Sequence, residues 1–486
     1  MAVLIVSTLA IFVDTVVYGI IVPFLPNMLQ DRLGMSPSTN GLLFGCFGIG
    51  IFVGSPLSAY VSDRWNIRKW PMIFGLLSLG AATVLFALSN AYWELIVARL
   101  AQGISSGITW SVGLGMIADV YQGESLGWAM GIAFSGYTLG YLGGPVFGGA
   151  IYSAGGVHAI AIFVGSITAV DLIFRLLLVE PKHSKSASAL HTGSETNLVL
   201  DRNEDQFAAD IDNACVAGKS VEEPELAHHI GAIQPAAVST SIIADSATID
   251  AVAAASDHQV TECATKRTTL WDLLKEWPIL ACCIATITTS GVEGALEPAL
   301  PIYMRDKFGS GPVVISLVFI SYFVPDIVVS PIAGKYTSSQ RVLDRLAPFG
   351  RFTFIIVASV LLAVAVACLG VTTSIAGLVV NLVFGGMLGG VAVVPILSIM
   401  GEHVERMGGN AYAKVYALFN IAFSVGVIIV PTIVPPIMSA IGFAATMGVI
   451  SAILVLGAII LAVHPTRMLM KHGRAAYLGK NALPFL

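Results

Sequence analysis

The sequence predicts an all-α, polytopic membrane protein: twelve transmembrane helices in two pseudo-symmetric six-helix bundles. Three observations lead there. Of 486 residues, 56% are hydrophobic and 11% charged, with a mean hydropathy of +0.83. Ordinary globular proteins are about a quarter charged. The apolar residues gather into runs of about twenty, the length that crosses a bilayer core as a helix, because lipid offers no partner for backbone N–H and C=O groups. Six runs precede a long polar stretch and six follow it.

The first set covers roughly 2–26, 41–61, 70–88, 95–118, 128–154 and 157–179. The second covers roughly 278–303, 313–332, 352–371, 375–400, 415–441 and 443–463. The first run starts almost at Met1 with no basic stretch before it and carries Asp14, so an uncleaved first span is expected rather than a signal peptide. The stretch 184–276 holds fifteen acidic and six basic residues and little helical periodicity before Leu270. The expected division is an N-terminal bundle (1–180), a largely disordered cytoplasmic linker (181–276), a C-terminal bundle (277–465) and a cytoplasmic tail (466–486).

Lys and Arg orient the chain. With both termini inside, the outer loops hold Arg32, Arg305 and Lys307. The short inner loops and the tail hold thirteen basic residues, among them Arg64, Arg68, Lys69, Lys335, Arg341, Arg345 and Arg351.

The halves repeat. A shift of 275 carries Leu25-Pro26 onto Leu300-Pro301 and Ser55-Pro56 onto Ser330-Pro331, and a shift of 286 carries Gly140 and Pro145 onto Gly426 and Pro431. Repeated halves with a site near the midplane between them characterise secondary transporters.

Charges inside spans are costly and mark function. Asp14 lies twelve residues before Pro26, about 18 Å inward at the helical rise. Glu293 and Glu297 share one helix face four residues apart. Two like charges that close are difficult to keep ionised in lipid, which suits a proton carrier. Arg99 is read as a partner for such a carboxylate or as a snorkelling residue at the outer interface. Asp171 and Arg175 read as a local ion pair; Asp326 has no partner visible in the sequence. Gly140, Gly144, Pro145, Gly148 and Gly149 crowd the fifth span, where small residues let helices approach and Pro145 bends the backbone.

The six cysteines show neither metal-ligand spacing nor an extracellular pairing pattern, so no metal or cofactor is expected. No cluster of His, Ser or paired acids sits at a membrane face, which points away from an enzyme.

These residues resemble a family. Gly140-Tyr-Leu-Gly-Gly144-Pro145-Val-Phe-Gly148-Gly149 resembles the antiporter signature of the major facilitator superfamily. Asp63-Arg64-Trp-Asn-Ile-Arg68-Lys69 resembles that superfamily's loop between helices two and three, and Arg99-Leu-Ala-Gln102-Gly103 its fourth-helix motif. Asp14, Tyr18-Gly19 and Leu296-Glu297-Pro298 resemble the twelve-helix drug:proton antiporters, especially the vesicular amine transporter-like branch and its fungal exporters. The resemblance implies proton-coupled efflux of a small organic molecule (drug, toxin or secondary metabolite) by alternating access. Asp14, Glu293, Glu297 and Arg99 would couple protons to substrate, and Asp63, Arg64, Arg68 and Lys69 would gate. It departs in the loop motif, which has one extra residue before Arg68 and Ala59 for its leading Gly. It departs also at Phe47, Gly390 and Asn420, where vesicular amine transporters carry a Lys and two acids; this argues against neurotransmitter packaging. The alternatives are an uptake carrier for a nutrient and a non-transporting receptor. The expected partners are a small-molecule substrate and the lipid bilayer, with no nucleic acid and function as a monomer. The expected location is the plasma membrane, with a vacuolar or vesicular membrane as alternative.

Overall fold

Long helices form wherever an apolar run has no other way to satisfy its backbone, and helices account for every regular element among the described residues of the computed structural model. It describes residues 1–21, 29, 40–65, 67–177, 268–346, 349–407 and 411–472. The expected linker lies outside the described residues up to 267, as does the tail beyond 472.

The helices are α1 (Ala2–Ile21), α2 (Asn40–Trp65), α3 (Lys69–Leu88), α4 (Tyr92–Val120), α5 (Glu124–Leu177), α6 (Leu270–Lys275), α7 (Trp277–Phe308), α8 (Pro312–Thr337), α9 (Gln340–Leu346), α10 (Phe352–Val371), α11 (Ile375–Arg406) and α12 (Tyr412–His472). Two of them are double. α5 is 54 residues long and turns back at Gly155-Gly156, where Gly156 has φ +64°. α12 is 61 residues long and turns at Gly442, with φ +81°. A side chain at either turn would be strained, so glycine permits two crossings to follow with almost no loop. Among the described residues nine helices are long and apolar enough to span a bilayer, counting α5 and α12 once each. α4 is long enough at 29 residues but too polar to join them. It carries Arg99, Gln102, Ser105, Ser106 and Ser111, all buried, because α4 runs inside the N-terminal bundle against α2 and α3. With α5 and α12 counted twice, the crossings number twelve.

The outside is apolar and the inside mixed. Phe74, Ile162, Leu177 and Leu456 are all exposed, which suits helices whose outer faces meet lipid. Trp65, Trp70 and Trp271 are exposed at the basic face and Trp93 at the opposite one, where amphipathic rings favour the headgroup level.

The repeat seen in the sequence is a repeat of contacts. A side chain at Gly19 would meet Pro145 at 3.0 Å, and one at its counterpart Gly294 would meet Pro431 at 3.0 Å. Gly103 abuts the Phe47 carbonyl as Gly386 abuts that of Tyr322, and 47 and 322 are again 275 apart. Each half therefore builds the same close crossings: α1 with the first limb of α5, α7 with the first limb of α12, α2 with α4, and α8 with α11.

Between the halves, α5 packs along α8 and α12 packs along α2 and α4. The contacts begin at the basic face. Asp63 at the end of α2 accepts hydrogen bonds from the backbone N–H groups of Ala413 (3.3 Å) and Lys414 (3.0 Å). Glu124 accepts one from the Gln340 N–H at 2.7 Å. Ala59 packs with Ala413 and Ala417. Deeper, Asn420 donates to the Ser111 hydroxyl at 3.0 Å, Ser135 donates to the Ile327 carbonyl at 2.8 Å, and the Tyr141 ring lies 4.9 Å from that of Phe323. Past Tyr141, Gly144 and Gly148 turn from α8 to α1.

Candidate functional site

The acids expected to matter lie in two places, one in each half. Asp14 sits on α1 and faces α4. It accepts hydrogen bonds from Ser106 Oγ at 2.6 Å and Trp110 Nε1 at 3.2 Å, both through Oδ2. Oδ1 takes no hydrogen bond among the described residues. The polar character of α4, which keeps it from reading as an ordinary span, supplies these donors. Glu293 and Glu297 sit on α7, half-buried. Tyr137 of α5 donates to Glu293 Oε2 at 3.2 Å, across the seam between the halves. Glu293 borders a narrow cleft that Thr289, Ser290, Phe419 and Phe423 also line.

An aromatic chain joins the two places. Tyr18, one turn beyond Asp14, lies 4.8 Å from Phe47 and 6.1 Å from Tyr141, ring to ring. Tyr141 is 5.9 Å from Tyr137, which is 5.3 Å from Trp110 and 6.0 Å from Phe423. Tyr18 is within electrostatic reach of both Glu297 and Arg99. The cleft itself offers one carboxylate, that of Glu293, beside hydroxyls and the rings of Phe134, Tyr322, Phe419 and Phe423.

Arg99 is fully buried, so it does not snorkel to the interface. Its Nη1 is 3.4 Å from Gln102 Oε1, and its guanidinium lies 5.9 Å and 5.4 Å from the Phe47 and Phe86 ring centres. Asp171 and Arg175 form the expected pair at 2.7 Å, and Arg175 also donates to the Met72 carbonyl, tying the second limb of α5 to α3.

The loop residues assemble at the basic face. Arg68 bonds Asp63 at 2.6 Å and Asp119 at 2.9 Å despite the extra residue in the loop. Burial alone would lower its pKa, but Asp119 and Asp63 outweigh that and hold the guanidinium above its ordinary value. Asp63 in turn meets the N-terminus of α12, where unpaired N–H groups and the helix dipole favour a carboxylate. Arg64 instead lies over the Tyr60 ring at 5.9 Å, and Lys69 donates to the Leu176 carbonyl at 2.8 Å. The fifth-span cluster divides likewise: Gly140, Gly144, Pro145 and Gly148 press on α1, whereas a side chain at Gly149 would meet open space.

Sequence reading misses the hydroxyl and aromatic partners, Ser106, Trp110, Tyr137 and Thr138, because such residues also fill ordinary helix interfaces. It leaves Asp326 without a partner. In the structure, Asp326 is buried and bonded to Thr138 at 2.5 Å and Ser330 at 2.8 Å.

The Major Facilitator Superfamily model matches residues 7–243 and 282–476. An uncharacterised MFS-type transporter of Schizosaccharomyces pombe is 35% identical over 195 residues, 39% of this chain and 44% of that protein. MFS-type transporter ppzB of Metarhizium rileyi is 31% identical over 179 residues, 36% of this chain and 37% of that protein. Both alignments thus span less than half of the relative's own length. The synaptic vesicular amine transporter of Mus musculus is 24% identical over 441 residues, 90% of this chain and 68% of that protein. The crystal structure of the human organic anion transporter MFSD10 shares the fold, with a TM-score of 0.62 at 18% identity over 95% of this chain and 99% of that one. Twelve crossings in two repeated halves and the family match across both agree: the chain is a multi-pass membrane protein belonging to the Major Facilitator Superfamily.

Proposed function

We propose that this protein exports a small organic molecule in exchange for protons, by alternating access between its two halves. The observation that carries the reading is the set of membrane acids bordering the region where the halves meet. Asp14 comes from the first helix of one half, Glu293 and Glu297 from the first helix of the other, with aromatic rings between them. Acids in that place can trade a proton for a bound molecule, provided protonation and substrate bind the two conformations unequally. The carboxylates and π faces favour an organic cation, as does the amine in the name of the vesicular relatives.

Asp63, held by Arg68 and Asp119, ties α2 to the start of α12, and the cycle would proceed by releasing this clamp. Gly140, Gly144 and Gly148 keep α1 and α5 close enough to move as a pair. The plasma membrane fits an exporter best.

Two measurements test this in sequence. Untargeted comparison of metabolites inside and outside cells with and without the protein identifies the cargo. Flux of that cargo into proteoliposomes should then rise with an acidic lumen. Flux indifferent to the pH gradient would replace antiport with a uniport or nutrient-uptake reading.

A further inference from the structure

Asp326 differs from the other membrane acids in its position and in its partners. It lies mid-way along α8 and is almost fully buried. Its Oδ2 lies 2.5 Å from Thr138 Oγ1 of α5, in the other half of the molecule, and its Oδ1 accepts from Ser330 Oγ one turn along α8 at 2.8 Å. The neighbouring residue on α5, Tyr137, holds Glu293. Two consecutive residues of one half thus grip two acids of the other. From α7 the group facing Asp326 is Glu293, within electrostatic reach; from α8 itself they are Ser330 and Tyr322. From α11 it is Gly390, where a side chain would collide with the Asp326 carboxylate.

The repeat argues that this acid is not part of the shared scaffold. Ser330 abuts Gly390 as Ser55 abuts Gly107, so the surrounding crossing is present in both halves. The counterpart of Asp326 under the shift of 275 is Ile51. The acid therefore belongs to one half and to the seam.

Thr138 has one hydroxyl proton and two acceptors in reach: Asp326 Oδ2 and the Phe134 carbonyl at 3.1 Å. With Asp326 ionised, that proton goes across the seam in a charge-assisted bond, roughly twice as strong as a neutral one. With Asp326 protonated, the carboxyl becomes the donor to Thr138 Oγ1, and Thr138 turns its proton back to its own helix.

We propose that Asp326 is a proton-responsive latch on the seam between α5 and α8: as a carboxylate it holds the halves together through Thr138, and on taking up a proton it loosens them. This rests on the proton-coupled reading above and adds to it a positioning acid apart from Asp14 and Glu297.

Amide hydrogen exchange of the full chain in lipid nanodiscs, read by mass spectrometry and corrected for intrinsic pH dependence, tests it without any substrate. Residues 131–141 and 323–334 should exchange about threefold faster at about pH 5.5 than at about pH 8. Asp326→Asn should be as fast at both values as the native chain is in acid. Thr138→Val, which deletes the donor, should be fast already at the higher pH. Asp14→Asn should keep the native response. A native pH response in Asp326→Asn, or native protection of Thr138→Val at the higher pH, overturns the latch; so does abolition of the response by Glu293→Gln but not by Asp326→Asn. Should Asp326→Asn fail to fold, the Thr138→Val result decides. A seam response that survives when proteoliposome flux ignores the pH gradient sinks the antiport reading and leaves the latch standing.

Discussion

Asp14 and Glu297 sit in different halves and at different heights: Asp14 matches Thr289 under the repeat, and Glu297 matches Val22. Neither is a duplicated scaffold feature, so each can be neutralised separately. Asp14→Asn keeps size and the hydrogen bonds from Ser106 and Trp110 while removing a charge. This variant and Glu297→Gln should lose gradient-driven uphill transport by at least about fivefold, the lower end of ordinary coupling energies, and retain downhill exchange of substrate. Uphill and downhill flux in the same proteoliposomes check this, and equal loss of both would point to a binding defect. Arg68 is the other residue with a sharp expectation. Removing it leaves Asp63 and Asp119 buried together, so Arg68→Ala should cost about 3–5 kcal/mol in thermal unfolding of the solubilised protein. Because the pKa of Arg68 is raised, its stabilisation is fully present below the unfolded value and is lost as pH rises from there through the folded one, both far above neutral. The clamp should thus not respond to pH in the neutral range, unlike the seam at Asp326.

At the scale of elements, the fifth-span motif is legible in the sequence as a crowd of glycines, but which of them act depends on rotation about the helix. Gly144 lies against the Gly19 backbone and leaves no space for a side chain. Gly144→Leu should cost about 1–3 kcal/mol by overpacking and depress transport more than it depresses yield. Gly149, one turn further on, has open space and should accept Leu with near-native flux. Flux normalised to protein in the membrane distinguishes the two, and equal tolerance would reduce the cluster to ordinary packing. α4 teaches the converse lesson. Its hydroxyls and Arg99 make it poor by hydropathy, yet it is a crossing helix because its polar groups face other helices instead of lipid.

For the whole molecule, the two halves give an orientation that can be measured. With the basic loops inside, a cysteine placed at Asp306, exposed in the last turn of α7, should react with an impermeant maleimide on intact cells. One placed at Gln122, exposed between α4 and α5, should react only after permeabilisation. The reverse pattern would invert the protein and, with it, the side on which the Asp63 clamp closes.

The number of crossings, their division into repeated halves and the membrane acids all follow from the sequence by itself. Lipid imposes on every span the same demand, an apolar run with its backbone bonded within itself, and a charge that breaks the run stands out. Only the tertiary structure decided what each acid meets. Spacing along α7 sets Glu293 beside Glu297, but the fold hands Glu293 to Tyr137 and brings it within reach of Asp326 on α8, far along the chain. It also gave Asp326 the hydroxyl of Thr138, from the opposite half. Such pairings depend on which faces two helices turn to each other across a seam. Helical periodicity fixes the face of a residue within its own helix and carries no information about the neighbour that face will find.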